Sequence, residues 1–208
     1  MKQSVTSRRE FGRNLIPAYL TVLAATASGS VDVAQAAPNR DATMTSSEPA
    51  IDRLLFADRP APDRAEKMGL YGRLIGAWEM DAVMHTPDGA THQREGEIAF
   101  AWALQGRAIL DVWTLPDFFH GTTLRIYDPA IDAWHVIWSD PLRQFYNRQI
   151  GRAQGRDIVQ IGKSDDGADT RWRFTDITPD SFRWTGERST DGQASWYLQA
   201  EFECRRRT

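Results

Sequence analysis

The sequence predicts an all-β chain: a single antiparallel up-and-down β-barrel of about ten strands, entered through a short helix. Three observations predict it. From residue 77 onward, apolar and charged residues alternate with period two. Turn chemistry interrupts the alternation at short intervals, as at Pro87-Asp88-Gly89, Gln105-Gly106, Asp128-Pro129, Asp140-Pro141, Asp166-Gly167 and Pro179-Asp180. No helical stretch separates the alternating runs, so each strand is expected to pair antiparallel with the next.

The helix is placed over residues 63–74, with Asp63 as its cap and apolar positions three and four apart. The strands are placed at 77–86, 92–102, 107–115, 121–127, 133–139, 144–152, 157–163, 170–177, 181–189 and 194–205. Several show one apolar face, such as Trp78/Met80/Ala82/Met84, Trp134/Val136/Trp138, Trp172/Phe174, Phe182/Trp184 and Trp196/Leu198/Ala200/Phe202. The intervening positions are mostly charged, as at Glu79/Asp81, Arg171/Arg173 and Glu201/Glu203. One buried face and one wet face suit a closed meander with a ring-lined interior.

Turn geometry predicts two registers. A three-residue loop Thr190-Asp191-Gly192, with Gly192 left-handed, sets Gly186 opposite Trp196 and Trp184 opposite Leu198. A two-residue Asp88-Gly89 turn pairs His85 with His92. That pairing then needs a bulge near Gly96 to keep the faces consistent.

Ahead of the barrel, Ser7-Arg8-Arg9-Glu10-Phe11 fits a twin-arginine export signal, with Arg8 and Arg9 read by the export machinery. The apolar stretch from Leu15 to Ala27 is about 13 residues. Spanning a bilayer as a helix takes about 20. Ala34-Gln35-Ala36 offers small residues for cleavage before Ala37, and Ala25-Thr26-Ala27 is a weaker alternative. The expected organisation is a signal peptide at 1–36, a flexible linker at 37–62 rich in Pro, Ala, Ser and Asp, and the barrel at 63–208. The expected location is the periplasm or the exterior.

Without the leader, 21 cations face 26 anions. That mild acidity, with no basic block beyond Arg205-Arg206-Arg207, argues against nucleic acid as a partner. The lone Cys204 excludes an internal disulfide. Eight Trp and nine Phe can supply a large buried area in its stead.

Several stretches together resemble a bacterial lipocalin-like family of the calycin superfamily. They are Leu74-Ile75-Gly76-Ala77-Trp78, Leu104-Gln105-Gly106-Arg107, Tyr127-Asp128-Pro129 followed by Trp134, and Trp138-Ser139-Asp140. The most specific piece is Phe182-Arg183-Trp184 followed by the run from Glu187 to Trp196. The resemblance covers about residues 70–207 and implies a single antiparallel barrel. The family's activity is largely unassigned, so the resemblance implies fold better than function. The neighbouring nitrobindin-like barrels hold haem through a histidine late in the chain. No histidine follows His135 here, so no haem, and no other cofactor, is expected.

Candidate site residues follow from the alternation. Asp111 interrupts the apolar run Ile109-Leu110-Asp111-Val112-Trp113 and shares a face with Ile109 and Trp113. A buried carboxylate there is either a proton carrier or, more commonly, the partner of an arginine. Tyr146 and Arg148 share a face of a strand that is polar on both sides, where they could orient a ligand or simply be solvated. Trp113, Trp138 and Trp184 are expected to line the ligand space. His135 falls between Trp134 and Trp138 and faces outward if the tryptophans face inward, which leaves it a weaker acid–base candidate. His85 and His92 read as exposed residues at a hairpin end, and His120 lies in a loop with Phe118 and Phe119 that could cover the barrel mouth. There is no phosphate loop, nucleophile elbow or paired-cysteine metal motif. Three readings stay open: a barrel that binds an apolar or aromatic small molecule, a cofactor-free isomerase, cyclase or lyase using Asp111, Tyr146 or His135, and an interaction protein.

Overall fold

The computed structural model describes residues 51–208. The expected leader, with Arg8 and Arg9, and most of the expected linker lie outside the described residues. The fold begins ahead of Asp63. A short helix α1 (Ile51–Leu55) leads into β1 (Phe56–Ala57), which pairs with Ala103 and Trp102. A 3-10 turn (Pro62–Arg64) and helix α2 (Ala65–Gly72) follow. Asp63 does not cap this helix. Its carboxylate accepts a hydrogen bond from Arg107 at 2.8 Å, and that pairing holds it below the ordinary carboxylate pKa.

Ten strands follow in meander order: β2 (Gly76–His85), β3 (Thr91–Ala103), β4 (Ala108–Leu115), β5 (Phe119–Asp128), β6 (Ala133–Asp140), β7 (Phe145–Gln154), β8 (Asp157–Ser164), β9 (Asp169–Thr175), β10 (Ser181–Ser189) and β11 (Tyr197–Arg206). Every neighbour pair is antiparallel, and β11 returns to pair with β2, which closes the barrel. Closure leaves the meander without an open edge.

Both hairpin registers differ from expectation. In the first hairpin His85 faces Thr91 and Met84 faces His92, because the connection is five residues long. The Thr86 N–H donates to the Ala90 carbonyl at 2.9 Å and the Gly89 N–H to the Thr86 carbonyl at 2.9 Å, which fixes that longer loop. The shift of one residue sets Trp78 opposite Ile98 and Met80 opposite Gly96, so no bulge is needed. In the last hairpin Trp184 faces Phe202 and Gly186 faces Ala200. Its loop spans 190–196, and the Asp191 carboxylate closes it. That carboxylate accepts bonds from the Ser189 hydroxyl at 2.7 Å, the Ser195 hydroxyl at 2.6 Å and the Ser195 N–H at 3.0 Å. The ladder shift needed to pair the strands falls between Gly186 and Glu187. Trp196 therefore precedes the strand, its ring 4.1 Å from the Arg171 guanidinium.

The two faces of the wall separate as the alternation predicts. Outside β9, β10, β11 and β2 runs a ladder of cross-strand ion pairs, including Arg171–Glu187 at 2.7 Å, Arg183–Glu201 and Arg205–Asp81 at 2.7 Å. Exposed pairs such as Arg205–Asp81 contribute about 0–1 kcal/mol each, so they mainly keep the outer face wet. Inside, rings dominate. Trp78, Trp134, Phe174 and Phe182 are fully buried, with Trp78 and Phe182 edge to face at 4.7 Å.

The two ends of the barrel differ. Helix α2 plugs one end, and its Met68 and Tyr71 are buried completely, as is Leu74 beyond it. The Tyr71 ring lies 4.9 Å from Trp134 and 6.2 Å from Phe174. A methyl group at Gly151 would overlap the Tyr71 hydroxyl, so the glycine makes room for the plug. Arg206 clamps this end. It donates to the Ile75 carbonyl at 2.7 Å and the Pro179 carbonyl at 2.6 Å, and stacks 4.1 Å above Trp78. At the other end, between the loops at 86–90, 116–118, 141–144, 165–168 and 190–196, the inward rings keep some contact with solvent. Trp138 is 8% exposed, Trp184 9%, and Trp172 more.

Candidate ligand site in the barrel interior

The interior has two zones. The zone nearer the open end is aromatic. Trp138 meets Trp172 edge to face at 6.2 Å, Trp172 meets Trp184 at 5.7 Å, and Trp184 meets Trp113 at 5.7 Å. Trp184 also stacks on Phe202, with centroids 4.6 Å apart. Gly121 lies under the Trp138 ring and Gly186 under the Trp184 ring, and a side chain at either would displace its tryptophan. The three tryptophans expected to line the ligand space, Trp113, Trp138 and Trp184, are therefore brought together, and Trp172 joins them.

Next to the rings lies a polar belt. Asp111 faces inward with Ile109 and Trp113, as the alternation requires, and forms an ion pair with Arg125 on β5. Both side chains are at most 1% exposed. The other Asp111 oxygen accepts the Thr123 N–H at 3.0 Å. The Arg125 Nε donates to Gln160 Oε1 at 3.3 Å, and the Tyr71 hydroxyl donates to the same oxygen at 3.0 Å. The guanidinium also sits 5.1 Å from the Tyr71 ring centroid and 5.6 Å from Phe100, so ring faces help hold the cation. Burial lowers the Arg125 pKa to about 10, opposed by Tyr71, and pushes the Tyr71 phenol up. Arg125 stays charged and Tyr71 neutral at pH 7.

The belt continues across β7, β8 and β9. Gln160 donates to Gln149 Oε1 at 3.5 Å, Gln149 to the Thr170 hydroxyl at 2.9 Å, and Asn147 to the same hydroxyl at 3.1 Å. These groups satisfy one another. Trp113 does not share in this. Its indole Nε1 is buried and no protein group accepts its hydrogen bond. The ring contacts Phe100, Phe174, Trp184 and Phe202, so the donor lies within the aromatic zone. Leaving such a group unpaired costs about 1–3 kcal/mol.

The remaining candidates lie elsewhere. Tyr146 and Arg148 face outward, Tyr146 at 43% exposure. The strand turns Asn147 and Gln149 inward instead. A strand polar on both faces gives alternation nothing to choose by, and the closure of the barrel decides. His135 is also on the outer wall, 3.0 Å from the Asp128 carboxylate. His85 bonds to Glu201 at 3.1 Å, His92 is exposed, and His120 bonds to the Thr114 hydroxyl at 2.9 Å. Phe119 packs inward against Trp138 at 6.1 Å, and the Arg143 guanidinium sits 4.9 Å from the Phe118 ring. No cluster of three His, Cys, Asp or Glu suited to a metal occurs among the described residues, and none of their helices is long and apolar enough to cross a membrane.

Arg125, Gln160, Asn147, Gln149, Thr170 and Tyr71 were not singled out by the sequence. Arg125 was hidden because Leu124 and Ile126 beside it give β5 a false apolar face. The one signal pointing to it was Asp111, whose burial implied an arginine.

Comparison with known proteins agrees on architecture. The S-type phycobiliprotein lyase CPES from Guillardia theta superposes with a TM-score of 0.51 at 14% identity, over 72% of this chain and 98% of that one. Rv2717c from M. tuberculosis gives 0.48 at 14% identity, over 72% and 99%. At that identity the likeness to CPES shows the fold, a lipocalin-like ten-stranded barrel. No protein-family model matches the chain, and no curated protein does.

Proposed function

We propose that the protein binds a small apolar or aromatic molecule in the open half of its barrel, among Trp113, Trp138, Trp172 and Trp184. The observation that carries this reading is the Trp113 indole N–H, a buried donor without an acceptor inside a chain of rings. A core built for stability alone pairs its buried donors or replaces the residue, whereas ligand sites keep a few polar groups in an apolar lining. That a solved barrel of this fold, CPES, is named a phycobiliprotein lyase is consistent with an interior that takes a small molecule. Between binding and acid–base catalysis, the residue positions favour binding. Tyr146 and His135 face away from the interior, and Asp111 is already engaged by Arg125. We further propose that the chain is exported by its twin-arginine signal and works outside the cytoplasm.

Native mass spectrometry of the protein purified from its own host, followed by denaturing release, tests the binding reading. A retained small molecule that is lost on Gly186→Leu, whose side chain would push the Trp184 ring off its seat, supports it. A protein that carries nothing and binds no aromatic probe overturns it. Export is tested by the mature N-terminus. A mass beginning at Ala37 in the exported fraction, with retention of the Arg8→Lys/Arg9→Lys chain in the cytoplasm, is the expected result.

A further inference from the structure

Three observations narrow the class of ligand, and the inference rests on the binding reading above. The first is charge. Among the described residues every buried charge has its counter-ion: Asp111 has Arg125, Asp140 has Arg143, and Asp169 has Lys163. An ionic ligand would enter an interior with no opposite charge left to meet it, and burying an unpaired charge costs several kcal/mol. The second is the hydrogen-bond balance. Asn147, Gln149, Gln160 and Thr170 bond among themselves, so the belt asks for nothing. Among the described residues, the fully buried indole N–H left in the interior without an acceptor is that of Trp113, and it can only donate. The third is the lining. The rings of Trp113, Trp138, Trp172 and Trp184 meet one another at steep angles, between 57° and 85°, so the surroundings of the donor are aromatic.

We propose that the ligand is an uncharged aromatic compound bearing a hydrogen-bond acceptor such as a carbonyl, with its ring system among the tryptophans and its acceptor on Trp113 Nε1. Trp113 is thereby the residue that sets specificity. It separates a carbonyl compound from a hydrocarbon of the same outline, while the paired charges turn away carboxylates and amines.

Four naphthalenes of similar size test this by isothermal titration of the full chain: acetylnaphthalene, ethylnaphthalene, naphthoate and naphthylmethylammonium. The ketone should bind about tenfold tighter than the ethyl compound, the gain of one buried hydrogen bond. It should also bind at least about tenfold tighter than either ion. Trp113→Phe should erase the ketone's advantage over the ethyl compound, whatever affinity both lose together with the indole's ring contacts. Without any substitution, the Trp113 indole N–H resonance should move downfield on adding the ketone and not on adding the hydrocarbon. Naphthoate or the ammonium binding as tightly as the ketone overturns the proposal, and so does an unmoved indole resonance. If none of the four binds, the binding reading itself falls and takes this proposal with it. If the ethyl compound binds and the ketone gains nothing, the binding reading survives and the acceptor claim alone is lost.

Discussion

At the residue scale, the Asp111–Arg125 pair is the feature with the largest consequence. Both groups are withdrawn from water, so each is tolerable only because the other is present. Asp111→Ala should lower the unfolding free energy by about 3–5 kcal/mol, because it leaves the guanidinium buried without its counter-ion. The double substitution Asp111→Leu/Arg125→Met should cost much less, since it removes both charges and keeps apolar volume. Urea denaturation midpoints decide between these. Equal losses in the two variants would mean that packing, and not charge compensation, sets the value. Gly121 works by the opposite principle, through what it lacks. Gly121→Ala should push Trp138 off its seat and redshift tryptophan emission, with a loss of about 1–3 kcal/mol.

At the element scale, the loops around the open end are closed by aspartates. The Asp191 carboxylate is held at about 2 by the Ser195 hydroxyl, the Ser195 N–H and the Ser189 hydroxyl. Asp166 is held at about 2 chiefly by the Arg188 guanidinium, and by the Ser164 hydroxyl and the Ala168 N–H. Folding lowers both values, so the stability they contribute is complete above the ordinary carboxylate pKa of about 3.9 and disappears as the pH falls through about 2. Hydrogen exchange in the loops at 165–168 and 190–196 should therefore stay slow at pH 5 and quicken between about pH 4 and pH 2. Amides of β4 to β6 should change less over that window. Asp191→Asn should make the 190–196 loop exchange fast at pH 5 as well. An acid response spread evenly over the barrel would show that these carboxylates do not act locally.

At the scale of the whole molecule, the barrel depends on its last strand. β11 lies between β10 and β2, so it completes both ladders at once. Removing residues 197–208 leaves two open edges and exposes Trp78, which Arg206 covers. The truncated chain should lose its cooperative thermal transition by circular dichroism and elute as aggregate on size exclusion. Arg206→Ala alone should keep the barrel closed and loosen the plugged end, because three hydrogen bonds from the guanidinium to the carbonyls of Arg73, Ile75 and Pro179 go together. The expected loss is about 2–4 kcal/mol, read as a lowered midpoint of the same single transition.

The sequence by itself determined the strand count, the meander order, the helix before the first strand and the inward tryptophans apart from Trp196, which lies ahead of its strand against Arg171. Each of these depends on period-two alternation or on local turn chemistry, which the chain carries residue by residue. It also pointed to Asp111, because one carboxylate in an apolar run stands out whatever surrounds it. The tertiary structure decided the two hairpin registers, where main-chain bonds within the loop at 86–90 and side-chain bonds within the loop at 190–196 outweighed the shorter turns that Gly89 and Gly192 suggest. It decided which face of β5 and β7 turns inward, sending Arg125, Asn147 and Gln149 to the interior and Tyr146 and Arg148 to solvent. It also decided that Trp113 has a donor with no acceptor. No pattern along one strand can give that result, because a hydrogen bond inside a barrel depends on what every facing strand brings to the same place.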